Sequence, residues 1–185
     1  MPNHDIVTIG ASAGGVQALR NFVNRLPKDL PVAIFVVLHV PPQWPSQLAQ
    51  ILTKSGPLPA LAPEDHARIE PGHIYVATPD KHLLVEPDEI RVIRGPRENR
   101  HRPGVDPLFR SAAWAYGPRV VGVVLSGTLD DGASGLWAIK SCGGIAVVQD
   151  PADAIFPEMP TNAMMNVQVD HCLPVDDIAT LIAKL

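Results

Sequence analysis

Val32-Ala-Ile-Phe-Val-Val-Leu38 is apolar at every position and rich in β-branched residues. A strand with water on one face alternates apolar and polar side chains. A run with no polar position suits a strand covered on both faces, the condition of a parallel sheet between two layers of helix. The rest of the chain must then supply companion strands and helices for both faces.

Two further segments share that grammar of apolar strand, tight turn and amphipathic helix. Ile6-Val-Thr-Ile9 reads as a strand and Gly10-Ala-Ser-Ala-Gly-Gly15 as its turn, followed by Val16, Leu19, Phe22, Val23 and Leu26 at helical spacing. Val120-Val-Gly-Val-Val-Leu125 reads as another strand, with a turn from Ser126 to Gly135 and a helix carrying Leu136 and Ile139. After Val32–Leu38 comes His39, then a Pro-rich turn and a short helix beginning near Pro45, where proline is tolerated in the first turn. A helix from Asp106 buries Leu108, Phe109, Ala112, Ala113 and Tyr116. Ile145–Val148 is a further strand, and a last helix presents Val175, Ile178, Leu181, Ile182 and Leu185 on one face.

Between Pro57 and Pro103 the pattern changes to short strands, His73–Ala77, His82–Val85 and Ile90–Ile93, with Pro87-Asp88 as a turn between the last two. These predict a mostly antiparallel extension at the edge of the parallel sheet. The expected fold class is therefore α/β: three layers, a mostly parallel, doubly wound, Rossmann-like central sheet, and an antiparallel edge extension. No internal repeat or low-complexity segment interrupts the chain, and most of its 20 prolines fall in connections.

Composition narrows the function classes. The chain has 185 residues, 46% hydrophobic and 18% charged, which suits one globular domain spanning 1–185. A net charge of −4 gives no footprint for nucleic acid. The one dense basic stretch, Arg91–Arg102, also holds Glu98, His101 and Pro96, and reads as a solvated loop. The two cysteines, Cys142 and Cys172, have neither disulfide nor metal-ligand spacing and read as small buried hydrophobes in a reducing compartment. No signal-like segment opens the sequence and no apolar run is long enough to span a bilayer, so a cytoplasmic protein that is not membrane-embedded is expected.

In open parallel sheets, ligands sit at the carboxyl ends of the strands. Three strand ends here hold candidate chemistry: Ser12, His39 and the Asp130-Asp131 pair. Ser12 lies in Gly10-Ala-Ser-Ala-Gly14, a G-x-S-x-G match between strand and helix, whose small residues permit a sharp turn exposing the hydroxyl. The N–H groups that follow, from Ala13 onward, sit at a helix N-terminus. They are raw material for an oxyanion hole, each donor worth roughly 3–4 kcal/mol to the transition state. The competing reading is phosphate binding. Gly10–Gly15 differs from the dinucleotide fingerprint by Ser12 at its second glycine, where a side chain obstructs the pyrophosphate. The fingerprint also wants an acidic residue about 20 positions on, and the second strand ends in Leu38-His39-Val40 instead. A purely structural glycine turn is the third reading.

His39 is the best placed of seven histidines to accept the serine proton near neutral pH. A histidine at a strand end is more often a structural hydrogen-bonding residue. His66, His73, His82, His101 and His171 end no central strand. Asp130 or Asp131 would orient the imidazole, and local pattern does not choose between them; helix capping or an Asx turn is the alternative role. No histidine pair has metal-ligand spacing, and no cofactor or metal is expected.

Taken together, Ile9-Gly-Ala-Ser-Ala-Gly-Gly15, Leu38-His39-Val-Pro-Pro42 and Leu125-Ser-Gly-Thr-Leu-Asp-Asp-Gly-Ala133 resemble segments of the CheB chemotaxis methylesterase catalytic domain. The resemblance continues through Pro71–Ala77, Arg100-His-Arg-Pro103, Val105-Asp106, Leu108–Ala112, Val148-Gln-Asp150 and Met159-Pro160. It implies Ser12 as nucleophile, His39 as general base and acid, and Asp131 as the orienting acid. Ala13, Gly14 and Thr128 are the candidate backbone support. It implies hydrolysis of glutamate γ-methyl esters, and deamidation of glutamines, on the cytoplasmic helices of chemoreceptors. Family members usually carry a receiver domain. Within 1–185 none is expected, so such a partner would belong to a longer protein or to another chain. Ala13 stands where the family commonly has threonine, Leu38 where it has a polar residue, and Thr128-Leu129-Asp130 where it has Met-Gly-Asn. The same cleft without catalysis would make a binding module, and a nucleotide-binding α/β domain is the remoter alternative.

Overall fold

The structure is a computed structural model, and it describes residues 4–40 and 46–185. Its elements run, in chain order, β1 (Ile6–Ala11), α1 (Gly15–Asn24), β2 (Ala33–Leu38), α2 (Leu48–Ser55), β3 (Ala60–Leu61), β4 (Ala67–Arg68) and β5 (His73–Val76). They continue with β6 (His82–Glu86), β7 (Glu89–Ile93), α3 (Val105–Tyr116), β8 (Val120–Val124) and α4 (Ala133–Ser141). The chain closes with β9 (Ile145–Gln149), α5 (Glu158–Asn166), β10 (His171–Leu173) and α6 (Val175–Ile182).

Seven strands form one sheet in the order β10-β9-β8-β1-β2-β5-β3, and every pairing in it is parallel. The side chains of its central strands alternate between two cores, as the two-residue period of a strand requires. Val7 and Ile9 of β1, Ile34 and Val36 of β2, and Val121 and Val123 of β8 pack with α1, α2 and α6. Ile6, Ala33, Phe35, Val37, Val120 and Val124 face the other way, toward α3, α4 and α5. An apolar run such as Ala33–Leu38 is thus buried at every residue because it feeds both cores.

The antiparallel part is a separate three-stranded sheet, β4-β7-β6, and its Leu83, Val85 and Ile90 join the second core. Pro87 and Asp88 turn the chain between β6 and β7, with Asp88 in the left-handed region at φ 64°. One expected member of this extension belongs elsewhere: His73–Val76 lies in the main sheet, parallel to β2. Side-chain pattern alone does not distinguish a parallel from an antiparallel neighbour.

Smaller corrections concern ends and surfaces. The α4 helix begins at Ala133, ahead of Gly135, because Gly132 at φ 102° turns the chain into it. The α6 helix stops at Ile182, and Leu185 packs only partly on the core. The helix expected near Pro45 begins, among the described residues, at Leu48; Pro45 lies outside them. The cysteines are not buried hydrophobes: Cys142 is half-buried, and Cys172 is exposed on the edge strand β10. Among the described residues no helix is long and apolar enough to cross a membrane.

Candidate active site

The chain order reverses between β1 and β8. From β1 the chain builds outward through β2 and β5, then returns to place β8 on the other flank. This is the topological switch point at which open sheets leave a crevice. Ala11 pairs with Leu38, so Ser12 and His39 follow from adjacent strand ends. Gly10 pairs with Val124, which brings the loop after β8 to the same edge.

The turn after β1 is held from that loop. Ser12 N–H donates to Ser126 O (3.0 Å), and Gly15 N–H donates to Ser12 O (2.9 Å). The sharp point falls at Gly14, φ 73°, and not at the serine, which is absent from the left-handed residues. Gly127 is needed for close approach: a Cβ there would lie 2.9 Å from Ser12 Cβ and overlap the Met159 side chain. The Ser126 hydroxyl, buried, donates to Ala13 O (2.8 Å) and accepts from Phe156 N–H (2.9 Å), tying the turn to the loop before α5. Neither Ala13 nor Gly14 N–H has a backbone acceptor among the described residues, and both sit at the start of α1.

His39 has 5% side-chain exposure. Its Nε2 and Asp131 Oδ2 are 2.8 Å apart. Its Nδ1 is buried with no hydrogen-bond partner among the described residues. Asp131 receives three further donors: Val105 N–H (2.8 Å) on Oδ2, and Asp106 N–H (3.1 Å) and the Asn99 amide (2.9 Å) on Oδ1. Burial pushes the Asp131 carboxyl up, but the bonds from His39, Val105 and Asn99 outweigh it and hold it below the usual carboxylate range. Asp130, in contrast, is exposed, and its carbonyl accepts Ala133 N–H (3.2 Å) in the turn entering α4.

Three residues that strand-end reasoning did not select stand around this pair. Asn99 donates to both Asp131 and Asp106, the latter at 2.8 Å. Asp106 Oδ1 accepts Gly132 N–H (3.0 Å) and Gly135 N–H (2.6 Å), pinning the loop that carries Asp131 to the first turn of α3. Burial raises the Asp106 carboxyl, with the nearby Asp131 charge adding to the rise. The ring of His101 lies parallel to that of His39, centroids 3.6 Å apart and planes within 1°. The signal for His101 and Asp106 was Arg100-His-Arg-Pro103 and Val105-Asp106, segments that carry the family resemblance but end no strand; Asn99, just before the first of them, had no such signal. Of the other histidines, His82 is buried, bonded through Nε2 to Pro96 O (2.7 Å) and through Nδ1 to Gly104 N–H (3.2 Å), a structural arrangement.

Thr128 is half-buried beside Leu129, which is left-handed at φ 67°. Such a backbone costs a non-glycine residue roughly 1–2 kcal/mol. Two α5 side chains hold it: Leu129 N–H donates to Glu158 (3.0 Å), and the Asn162 amide donates to Leu129 O (2.7 Å). The α5 helix supplies the restraint that the leucine needs.

The lowered Asp131 carboxyl makes a prediction about acid stability. A carboxylate whose folded pKa is depressed contributes stability that is full above its unfolded value and is lost as pH falls through the folded one. The stability gap between wild type and Asp131→Asn should therefore be present at pH 7 and close below about pH 4. Urea midpoints across that range measure it. A gap independent of pH would mean that Asp131 is not held ionised by its donors.

With this geometry in view, comparison with known proteins is specific. The CheB methylesterase family model matches residues 7–182. A putative protein-glutamate methylesterase/protein-glutamine glutaminase of Leptospira interrogans is 37% identical over 99% of this chain and 95% of its own length. A protein-glutamate methylesterase/protein-glutamine glutaminase of Hydrogenovibrio crunogenus is 35% identical, and there this chain spans only half of the relative. The crystal structure of the Thermotoga maritima CheB methylesterase catalytic domain superposes with a TM-score of 0.93 at 30% identity, covering 98% of both chains. Sequence and fold agree along nearly the whole length, and the chain belongs to the CheB methylesterase family.

Proposed function

We propose that this protein hydrolyses glutamate γ-methyl esters, and deamidates glutamines, on the cytoplasmic helices of chemoreceptors, with Ser12 as nucleophile, His39 as general base and acid, and Asp131 as the orienting acid. The observation that carries the reading is the disposition of His39. One ring nitrogen is tied to a buried, ionised carboxylate, and the other is buried without a partner among the described residues, at the strand end next to that of Ser12. With Nε2–H donating to Asp131, Nδ1 keeps its lone pair and can take the serine proton.

His39 removes the proton as Ser12 Oγ attacks the γ-carbonyl. Ala13 and Gly14 N–H, with the backbone of Thr128, are the donors available to the oxyanion. The imidazolium returns its proton to the departing methoxide, and methanol leaves. Water activated by His39 then hydrolyses the glutamyl-serine ester and regenerates the hydroxyl. With glutamine the leaving group is ammonia and the steps are otherwise the same. Neither route needs a cofactor.

The test is methanol release from methylated chemoreceptor membranes. Wild type should release it, and Ser12→Ala should lose about 10⁶ in kcat, the scale for removal of a serine nucleophile. A fluorophosphonate should label wild type and not the variant. Labelling without methanol release would reassign the substrate. Neither signal, in a folded protein, would overturn the hydrolase reading.

A further inference from the structure

One hydrogen bond fixes one point of an imidazole and leaves the ring free to swing about it. His39 is held at Nε2 by Asp131, and its Nδ1 has no partner among the described residues, so nothing polar defines the plane in which Nδ1 lies. A second restraint has to act on the face of the ring. His101 occupies that face, parallel within 1° at 3.6 Å between centroids.

The segment carrying His101 is built for placement. Glu98 and His101 exchange backbone hydrogen bonds, 3.1 and 2.7 Å, closing a tight turn. Between them Asn99 and Arg100 are both left-handed, at φ 47° and 69°, a strained backbone that persists only where surroundings over-determine it. Here they do. The Asn99 amide is bonded to Asp131 and Asp106. Arg110 pairs with Glu98, and Arg102 with Asp80. The turn is thus anchored to the same carboxylate that holds His39, so ring and plate share one frame of reference.

We propose that His101 is a positioning residue for the esterase reaction, its flat ring fixing the plane of the His39 imidazole so that Nδ1 stays aimed at the nucleophile. This rests on the assignment of Ser12 and His39 above. Among the described residues, the charged or titratable groups that act on His101 are His39, Asp131 and Arg97. Burial lowers the His101 pKa, the His39 and Arg97 charges lower it further and the Asp131 charge opposes them, so the neutral ring is favoured relative to a free histidine. A neutral ring suits the role twice. It does not repel the imidazolium that forms on His39 during turnover, and its π face attracts a cation. A charged plate 3.6 Å away would oppose that imidazolium by several kcal/mol at an effective dielectric of about 20.

A plate needs flatness, not a particular nitrogen. His101→Phe keeps a flat ring without titrating, and His101→Leu keeps apolar bulk without flatness. On methylated receptor membranes, His101→Phe should retain kcat within about threefold of wild type. His101→Leu should lose about tenfold or more in kcat, the scale of small misplacements of reacting groups, with KM little changed. Thermal unfolding of both variants confirms that folded proteins are being compared. Equal rates for the Phe and Leu variants, whether both intact or both impaired, would overturn the proposal, as would a loss expressed in KM alone. A wild type without Ser12-dependent turnover would instead refute the hydrolase assignment, so the two failures are told apart.

Discussion

Asp131→Asn should lower kcat by about 10⁴ with little change in KM, whereas Asp130→Asn should stay within about twofold of wild type. The geometry gives the reason. Asp131 accepts from four donors, two on each oxygen: His39 and Val105 on one, Asn99 and Asp106 on the other. An asparagine offers one oxygen and one amide nitrogen, so either orientation turns N–H groups against two donors. With the amide facing His39, the imidazole must offer a lone pair at Nε2 and carry its proton on Nδ1. Nδ1 then cannot accept from Ser12, and the loss is catalytic. With the amide facing Asn99 and Asp106, the buried Asp106 N–H loses its acceptor at about 1–3 kcal/mol, the more exposed Asn99 amide loses one at less cost, and the loss is in stability. Initial rates on methylated receptor membranes, beside urea unfolding of each variant, separate the two outcomes. A crippled Asp130→Asn with an intact Asp131→Asn would reverse the assignment, despite the exposure of Asp130.

The second large effect is expected at Asp106, which has no direct part in the chemistry. Asp106→Ala leaves three donors without an acceptor: Gly132 N–H, Gly135 N–H and one from the Asn99 amide. At about 1–3 kcal/mol for each of the two buried glycine donors, the gross cost is about 2–6 kcal/mol, with a smaller share from the amide of the exposed Asn99. Burial of the carboxylate, which raises its pKa, already opposes the charged form and offsets part of this. A net loss of about 3 kcal/mol at neutral pH is expected, read as a lower urea midpoint with an unchanged slope. Asp106→Asn should cost less, since one oxygen can still accept from the two glycines. Because the same bonds pin the loop carrying Asp131, the alanine variant should also lose activity while still folded. Wild-type stability in Asp106→Ala would mean that the donors find other partners.

Much of the architecture was legible because the strongest signals are periodicities. Ile6–Ile9, Val32–Leu38 and Val120–Leu125 read as strands, and the structure buries the strands there because their side chains serve two cores. What escaped were elements too short to show a period, Ala60–Leu61, Ala67–Arg68 and His171–Leu173. The α5 helix escaped for another reason. Only Met159, Pro160 and Ala163 are buried along it, too few to draw an apolar stripe. At the site, Ser12, His39 and the Asp130-Asp131 pair drew notice because each follows a predicted strand. Asn99, His101 and Asp106 did not, because they come from a turn and the helix start after it. Their closeness to His39 and Asp131 arises from tertiary packing, which local pattern does not carry. The basic stretch holding His101 read as a solvated loop. Its Arg94, Arg97 and Arg100 are exposed, but the Asn99 amide reaches the buried Asp131 and Asp106, and the half-buried His101 stacks on His39.

The position of β1 between β2 and β8 also dictates when a working site can exist. The β1–β2 pairing is comparatively local and can form early. The bond from the Ser126 hydroxyl to Ala13 spans 113 residues, and that between His39 and Asp131 spans 92. Contacts across such separations must close a large loop before they return any free energy, which makes them slow. The shorter separation between Ser12 and His39 favours their meeting before the aspartate-bearing loop arrives. Turnover therefore reports completion of the whole sheet, and a chain released before β8 joins its centre lacks the partner that orients its histidine.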